Sequence, residues 1–214
     1  LDVDVNISSG KFIKHNVFQG DIIEMRERVI HSAREQIQKY GFRKFTIDDI
    51  AADLGISTKT IYKYFQSKNE IIGAVCAAAR EADKRQCLDI LTSEGTWLDK
   101  TMALARKDAG KSEHLHLNQE LKKFFPDEWN KNCGLFDSIS EQIKDFIRQG
   151  AASGDIRPDI NLDVVDIIVR SSIIGLFDAE FDDLSSKQII DELEKVVMCG
   201  ILSPTSKIRG EIAK

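Results

Sequence analysis

The chain of 214 residues lacks several features that would mark other kinds of protein. No apolar run approaches the roughly 18 residues needed to span a membrane. Cysteine is sparse and scattered: Cys76, Cys87, Cys133 and Cys199 contain no CxxC pair. That spacing excludes a zinc-ribbon pattern and a disulfide framework, and it predicts buried or half-buried thiols in a reducing cytosol. There is no Gly-rich phosphate loop, no serine nucleophile elbow and no histidine pair at i, i+4, so no catalytic set is legible and no enzyme is expected. Leu1–Gly10 alternates small apolar and acidic groups without a basic start, which does not read as a secretory signal. Positive charge is not in excess either: 30 Lys and Arg face 35 Asp and Glu, for a net charge of −5. Coating of nucleic acid through bulk charge is thereby excluded, and any DNA contact must come from a local basic surface.

What is present is a globular composition, 42% hydrophobic and 30% charged, patterned almost throughout at helical spacing. Residues 1–20 have strand-like alternation without a nearby partner, and read as a flexible arm or an expression remnant. Asp21 with Glu24 forms a capping-box start, followed by Ile22, Val29, Ala33, Ile37 and Tyr40 on one face and a stop at Gly41. Thr46 caps a short helix carrying Ile47, Ile50, Ala51 and Leu54, and Gly55 breaks it. Ser57 caps a third helix expected to run to about Phe65. Ser67 with Glu70 opens a long helix to about Leu91, whose charged stretch Arg80–Gln86 marks a domain boundary without a linker. Further helices are expected from Thr96 to Gly110 and over Ser112–Phe125. Another runs from Pro126 unbroken through Trp129, Phe136, Ile143 and Ile147 to Gly150 and Gly154. The last two run from Asn161 to Phe177 and from Ser185 or Ser186 to about Leu202. The fold class is all-α: three helices over 21–80, joined by a long helix to a helical bundle over 81–214.

The chemistry lies in Thr46–Lys68. Two short helices meet through a tight turn at Gly55, with Ala51 small enough for a close crossing, and Ile50, Leu54, Ile56 and Ile61 can pack inward. The opposite face of residues 57–68 carries Lys59, Lys63 and Lys68, the hydroxyls of Ser57, Thr58, Thr60, Tyr62 and Tyr64, and no acid. Lysines neutralise phosphate, and hydroxyls donate to phosphate oxygens or base edges. In a helix-turn-helix the start of the second helix enters the major groove, which puts Thr58, Lys59 and Lys63 nearest base edges. The helix N-termini at Thr46 and Lys68 are suited to clamp phosphate. Ordinary solvated helix faces are the plainer reading of such residues taken singly.

Residues from about Arg26 to Ala78 resemble the DNA-binding domain of the TetR family. The resemblance rests on Ala33, Tyr40-Gly41-Phe42, Thr46-Ile47-Asp48-Asp49-Ile50-Ala51, the run from Gly55 to Phe65, and Ser67-Lys68-Asn69-Glu70. It implies a bacterial, cytoplasmic regulator with an N-terminal three-helix DNA reader, a connecting helix, and a C-terminal domain that dimerises and usually binds an effector. It also implies phosphate contacts at Thr46, Tyr62, Tyr64 and Lys68. The expected partners are double-stranded operator DNA, a second copy of the chain and an unidentified small-molecule effector, with no cofactor, no metal and no membrane. The alternative is a helical small-molecule-binding protein or a protein–protein adaptor whose DNA domain is vestigial.

The C-terminal half is less specific. His114 and His116 diverge by about 200° on a helix and cannot share one metal. Trp97, Phe124, Phe125, Trp129, Phe136 and Phe146 are packed core or the wall of an apolar pocket. The candidate effector residues are His114, His116, Phe124, Phe125, Trp129 and Phe136. Ile168, Ser171, Ser172, Gly175, Ile189, Leu193, Val196 and Val197 are candidates for a dimer interface, because small and apolar residues there permit close approach of another helix.

Overall fold

The computed structural model describes residues 9–109, 115–176 and 186–205. Among them the secondary structure is helical: α1 (Ser9–Tyr40), α2 (Ile47–Leu54), α3 (Thr58–Ile61), α4 (Lys68–Thr92), α5 (Trp97–Ala109), α6 (Leu115–Phe124), α7 (Pro126–Cys133), α8 (Leu135–Ser138), α9 (Ser140–Ala152), α10 (Leu162–Leu176) and α11 (Ser186–Ile201). The chain divides into two compact units between Ala77 and Ala78, so α4 belongs to both.

In the first unit, Val29, Ala33 and Ile37 of α1 are buried with Phe42, Phe45, Ile50, Ala51, Ile61, Phe65, Ile71, Ile72, Val75 and Cys76. Each fully buried Ile or Phe contributes about 1.5–3 kcal/mol through removal of apolar surface from water. The short helices are defined by their ends. Thr46 accepts from the Asp49 N–H at 3.1 Å, and the Thr46 N–H donates to the Asp49 carboxylate at 2.7 Å, closing a capping box. Gly55 sits at φ +65 with its N–H on Ala51 and Ala52 carbonyls, a left-handed position that suits glycine. Ser57 caps α3 by accepting from the Thr60 N–H at 3.1 Å.

Several boundaries differ from the sequence pattern. Residues 9–20, expected as an arm, are helical and continuous with the rest of α1. One interior glycine costs only about 1 kcal/mol, so Gly20 does not stop a helix already nucleated downstream, and Asp21 is not its start. Tyr40, expected on the buried face, is 46% exposed. The helix opened by Ser57 ends at Ile61 rather than near Phe65. Beyond it the N–H groups of Lys63 and Tyr64 bond three residues back, to Thr60 at 3.2 Å and Ile61 at 2.9 Å. The tighter winding turns Phe65 into the core at 1% exposure.

The second unit holds α5 to α11 and the later part of α4. Its best-defined core joins Trp97, Ile147, Ile156, Val165 and Leu202, with Phe146 stacked on Trp97 at 5.3 Å between ring centroids. The single long helix expected after Pro126 is three helices. Gly134 ends α7, and Ile139 leaves helical geometry at φ −125 while burying its side chain. Gly150 does not end α9 but lies within it, where the Trp97 indole packs so closely that an added Cβ would lie 2.5 Å from Trp97 Cε2. Ile156 and Leu202 form an isolated bridge, flanked by hydrogen bonds from Arg157 N to Ile201 O (3.0 Å) and from Ser203 N to Asp155 O (2.7 Å). Cys199 is exposed, unlike the buried or half-buried thiols expected, and Cys76 is buried. Burial pushes the Cys133 thiol up, which outweighs the opposing charge of Lys122 and keeps it protonated at neutral pH. Gly110, Ser112, Phe177 and Ser185, expected helix ends, lie outside the described residues.

Candidate nucleic-acid interface

The polar face of α3 and the turn after it are presented by three anchors. From α1, Ser32, itself buried, donates to the Asp53 carboxylate at 2.6 Å and ties α1 to the end of α2. Also from α1, the Arg26 guanidinium donates to the Tyr64 carbonyl, lies 4.1 Å from the Phe65 ring centroid and stands 3.7 Å from Glu70. From the first turn of α4, Glu70 accepts from the Gln66 N–H at 2.6 Å, and its own N–H donates to Ser67 at 3.1 Å. Together they explain why α3 is one turn long: the Tyr64 carbonyl and Gln66 amide are taken by side chains, so the backbone leaves the helical ladder without orphaned groups.

Ser57, Lys59, Tyr62 and Lys63 are exposed on this frame, and Thr58, Thr60 and Tyr64 are half-buried. Tyr62 is 53% exposed, a large aromatic left open beside the lysines. The hydroxyls are not equivalent. Ser57 and Thr60 are 2.9 Å apart and cap α3, and Thr46 is exposed but bonded to Asp49. Those Thr46 hydrogen bonds hold the Asp49 carboxyl below its usual range. Lys68 is half-buried, with its ammonium donating to Arg43 O at 3.0 Å and Phe45 O at 2.6 Å.

Sequence reasoning missed Arg26 and Ser32, whose partners lie 38 and 21 residues away. It also missed Arg43 and Lys44, exposed cations in the α1–α2 connection beside Thr46. The basic pair one residue removed from a capping threonine was the available signal for the last two.

In the second unit Trp129 is buried and Phe125 half-buried where α6 meets α7, while His116 and Phe124 are exposed. His114 and the side chain of Phe136 lie outside the described residues. On α10, Ile168, Ser171 and Gly175 are exposed in line with Val164 and Ile167, and Ser172 is half-buried. On α11, Leu193 is half-buried and Val196 is 70% exposed. The side chains of Ile189 and Val197 are outside the described set. No group of three or more metal-ligating side chains occurs among the described residues, and no described helix is long and apolar enough to cross a membrane.

Comparison with known proteins agrees with this geometry. The profile of bacterial regulatory proteins of the tetR family matches residues 29–75, the span from α1 to the first turns of α4. An HTH-type transcriptional regulator of Bacillus subtilis, YvaF, is 32% identical over 183 residues, covering 83% of this chain and 95% of that protein. The HTH-type transcriptional repressor KstR2 of Mycolicibacterium smegmatis is 25% identical over 190 residues, covering 82% and 90%. In fold, the chain is similar to a transcriptional regulator from Saccharomonospora viridis solved in complex with choline. The TM-score is 0.64 at 18% identity, with 84% of this chain and 98% of that one covered. The chain belongs to the TetR family of bacterial regulatory proteins and is a DNA-binding transcriptional regulator with its helix-turn-helix in α2 and α3.

Proposed function

We propose that the protein is a cytoplasmic, homodimeric repressor that binds a near-palindromic operator and is released by a small-molecule effector. The observation that carries the proposal is the exposed face from Ser57 to Lys63, basic and rich in hydroxyls, within a chain of net charge −5. Thr58, Lys59 and Lys63 read base edges, and Thr46, Tyr62 and Tyr64 contact phosphate. Two such faces related by a dyad engage successive major grooves about 34–36 Å apart.

Dimerisation is supported by the exposed stripe Val164, Ile167, Ile168, Ser171 and Gly175 on α10 and by Val196 on α11. Apolar side chains this open on two neighbouring helices are costly to leave in water and fit an isologous helical interface. An effector site in the second unit, with Phe125 and Trp129 contributing apolar wall, is the family's usual arrangement, and the similar S. viridis regulator was solved with choline. KstR2 is named a repressor, which supports the same sign of regulation here. An effector preferring one position of α4 would change operator affinity by its differential affinity for the two states. No step requires catalysis or a cofactor.

The test is Tyr62→Ala combined with Lys63→Ala, assayed on an operator selected from a random duplex pool. Binding should be lost while sedimentation still reports a folded dimer. Unchanged binding would refute the reading face, and a monomeric wild type would refute the dimer.

A further inference from the structure

Lys68 stands at the start of α4, where a phosphate contact is the expected role. Its surroundings give it another. The ammonium has three N–H donors and no acceptor. Two backbone carbonyls receive from it, Arg43 O at 3.0 Å and Phe45 O at 2.6 Å, and it lies 4.2 Å from the centroid of the Phe45 ring. Phe45 is itself 1% exposed, so this ring is a fixed platform. Two of its three donors are thus committed to carbonyls that have no helical partner in this connection.

We infer that Lys68 is a positioning residue for DNA binding rather than a phosphate ligand. Its ammonium fastens the first turn of α4 to the connection carrying Arg43 and Lys44, and so fixes where Thr46 and the start of α2 meet the DNA backbone. The inference rests on the DNA-reading face proposed above, and it also assigns the phosphate contacts on this side to other groups. Two features of the geometry support it. Thr46 follows directly on Phe45, whose carbonyl is held by the shorter of the two bonds. Arg43 and Lys44, between the buried Phe42 and Phe45, are exposed, so clamping the carbonyls beside them orients two cations outward. Glu70, in the same turn of α4, holds Gln66. The start of α4 therefore grips segments on both sides of the helix-turn-helix, and a displacement of α4 would move both.

The experiment is a salt titration of operator binding by the full chain, comparing wild type, Lys68→Met and Lys44→Ala, with amide hydrogen exchange read over residues 43–47. A lost phosphate contact makes the slope of log affinity against log salt shallower by about 0.9 per protomer. Lys44→Ala, which removes an exposed cation of the α1–α2 connection, should show that change. Lys68→Met should weaken binding about tenfold or more through loss of charge-assisted hydrogen bonds, keep the wild-type slope, and speed exchange over 43–47. A slope shallower by about 0.9 per protomer, whatever the amides do, overturns the inference, as does unchanged affinity. If Lys68→Met does not fold by circular dichroism, Lys68→Gln carries the same series. Absence of salt-dependent binding by wild type would instead sink the DNA-reading face, leaving the exchange arm to judge the clamp.

Discussion

Replacing Arg26 with Met should loosen the recognition turn without touching DNA directly. The magnitude follows from its three contacts. A charge-assisted hydrogen bond to the Tyr64 carbonyl is worth about 1.5–3 kcal/mol. The guanidinium over Phe65 adds about 0.5–1 kcal/mol. The ion pair with Glu70 spans 3.7 Å between side chains 37% and 39% exposed, so solvent screening leaves it no more than about 0.5 kcal/mol. These terms share one group and are not additive, and Met retains the packing of the stem. A net loss of about 2 kcal/mol is expected. For a chain of this length melting as one, that lowers the midpoint by about 4–8 °C. Operator affinity should fall as well, by roughly tenfold or more. Tyr62, Lys63 and Tyr64 must then be ordered during binding, at a cost on the order of 1 kcal/mol for each residue. Arg26→Lys, which keeps the charge but loses the planar fork, should fall between. The assays are thermal unfolding and fluorescence anisotropy at fixed salt. A melt shifted by several degrees with unaltered affinity would refute the positioning argument, and a melt within 1 °C of wild type would refute the energetics.

Gly150→Ala should destabilise the second unit by about 1–3 kcal/mol, because the new methyl meets Trp97 Cε2 at 2.5 Å and Ile156 Cδ1 at 2.9 Å; calorimetry checks it, and operator affinity per folded molecule should hold. Arg80→Met removes hydrogen bonds to Glu128 (3.0 Å) and Asn132 (2.9 Å) between side chains 19% and 15% exposed at the ion pair. With Lys131 still on Glu128 at 2.6 Å, the cost should be about 2 kcal/mol, below the range for stranding a fully buried charge; chemical denaturation measures it. Burial raises the Glu128 carboxyl, but Lys131 and Arg80 outweigh that and hold it below the usual range. Thr46 and Thr96 hydrogen bonds likewise depress Asp49 and Asp99. A depressed folded value means that these groups stabilise the chain above the ordinary values of about 3.9 for Asp and 4.3 for Glu, and that this is lost as pH falls through the folded values. Carboxylate NMR titration should place all three midpoints below those references; a midpoint at or above its reference would contradict the caps or the ion pairs.

Local signals were legible and distant ones were not. Thr46 with Asp49, Gly55 and Ser57 with Thr60 interact within a turn, so residue type and spacing suffice to read them. The end of α3 depends on Arg26, 38 residues from Tyr64, and on the burial of Phe65. From inside the segment, the spacing alone extends the helix. After Pro126 the apolar positions Trp129, Phe136, Ile143 and Ile147 continue at helical intervals, yet the backbone breaks at Gly134 and at Ile139. An N-cap without a side-chain acceptor, as at Ile139, leaves no mark that a reader of sequence can use. Gly150 was legible as special but not as close packing, since the same residue serves as a helix stop or as room for an indole. Trp97 and Phe146 proved to be core, and His116 and Phe124 lie open in the single chain.

The electrostatics of the reader unit turn on where its acids are used. Between residues 43 and 68 stand Arg43, Lys44, Lys59, Lys63 and Lys68 against Asp48, Asp49 and Asp53, a balance too even to attract a polyanion by net charge alone. Two of the three carboxylates are engaged in the fold: Asp49 closes the cap on Thr46, and Asp53 accepts from the buried Ser32. Both sit on α2, so residues 57–68 are free of acid. One of the five cations, Lys68, is likewise spent inward on carbonyls. Lys59 and Lys63 around α3 and Arg43 and Lys44 before α2 are exposed. A charge excess too small to notice in the sum is thereby concentrated around α3 and before α2, while the exposed carboxylates stay on α2. Because each such cation displaces counterions only where it meets a phosphate, the proposed reading face assigns discrimination among duplexes to Thr58, Lys59 and Lys63, and the holding of that frame to Arg26, Ser32 and Lys68.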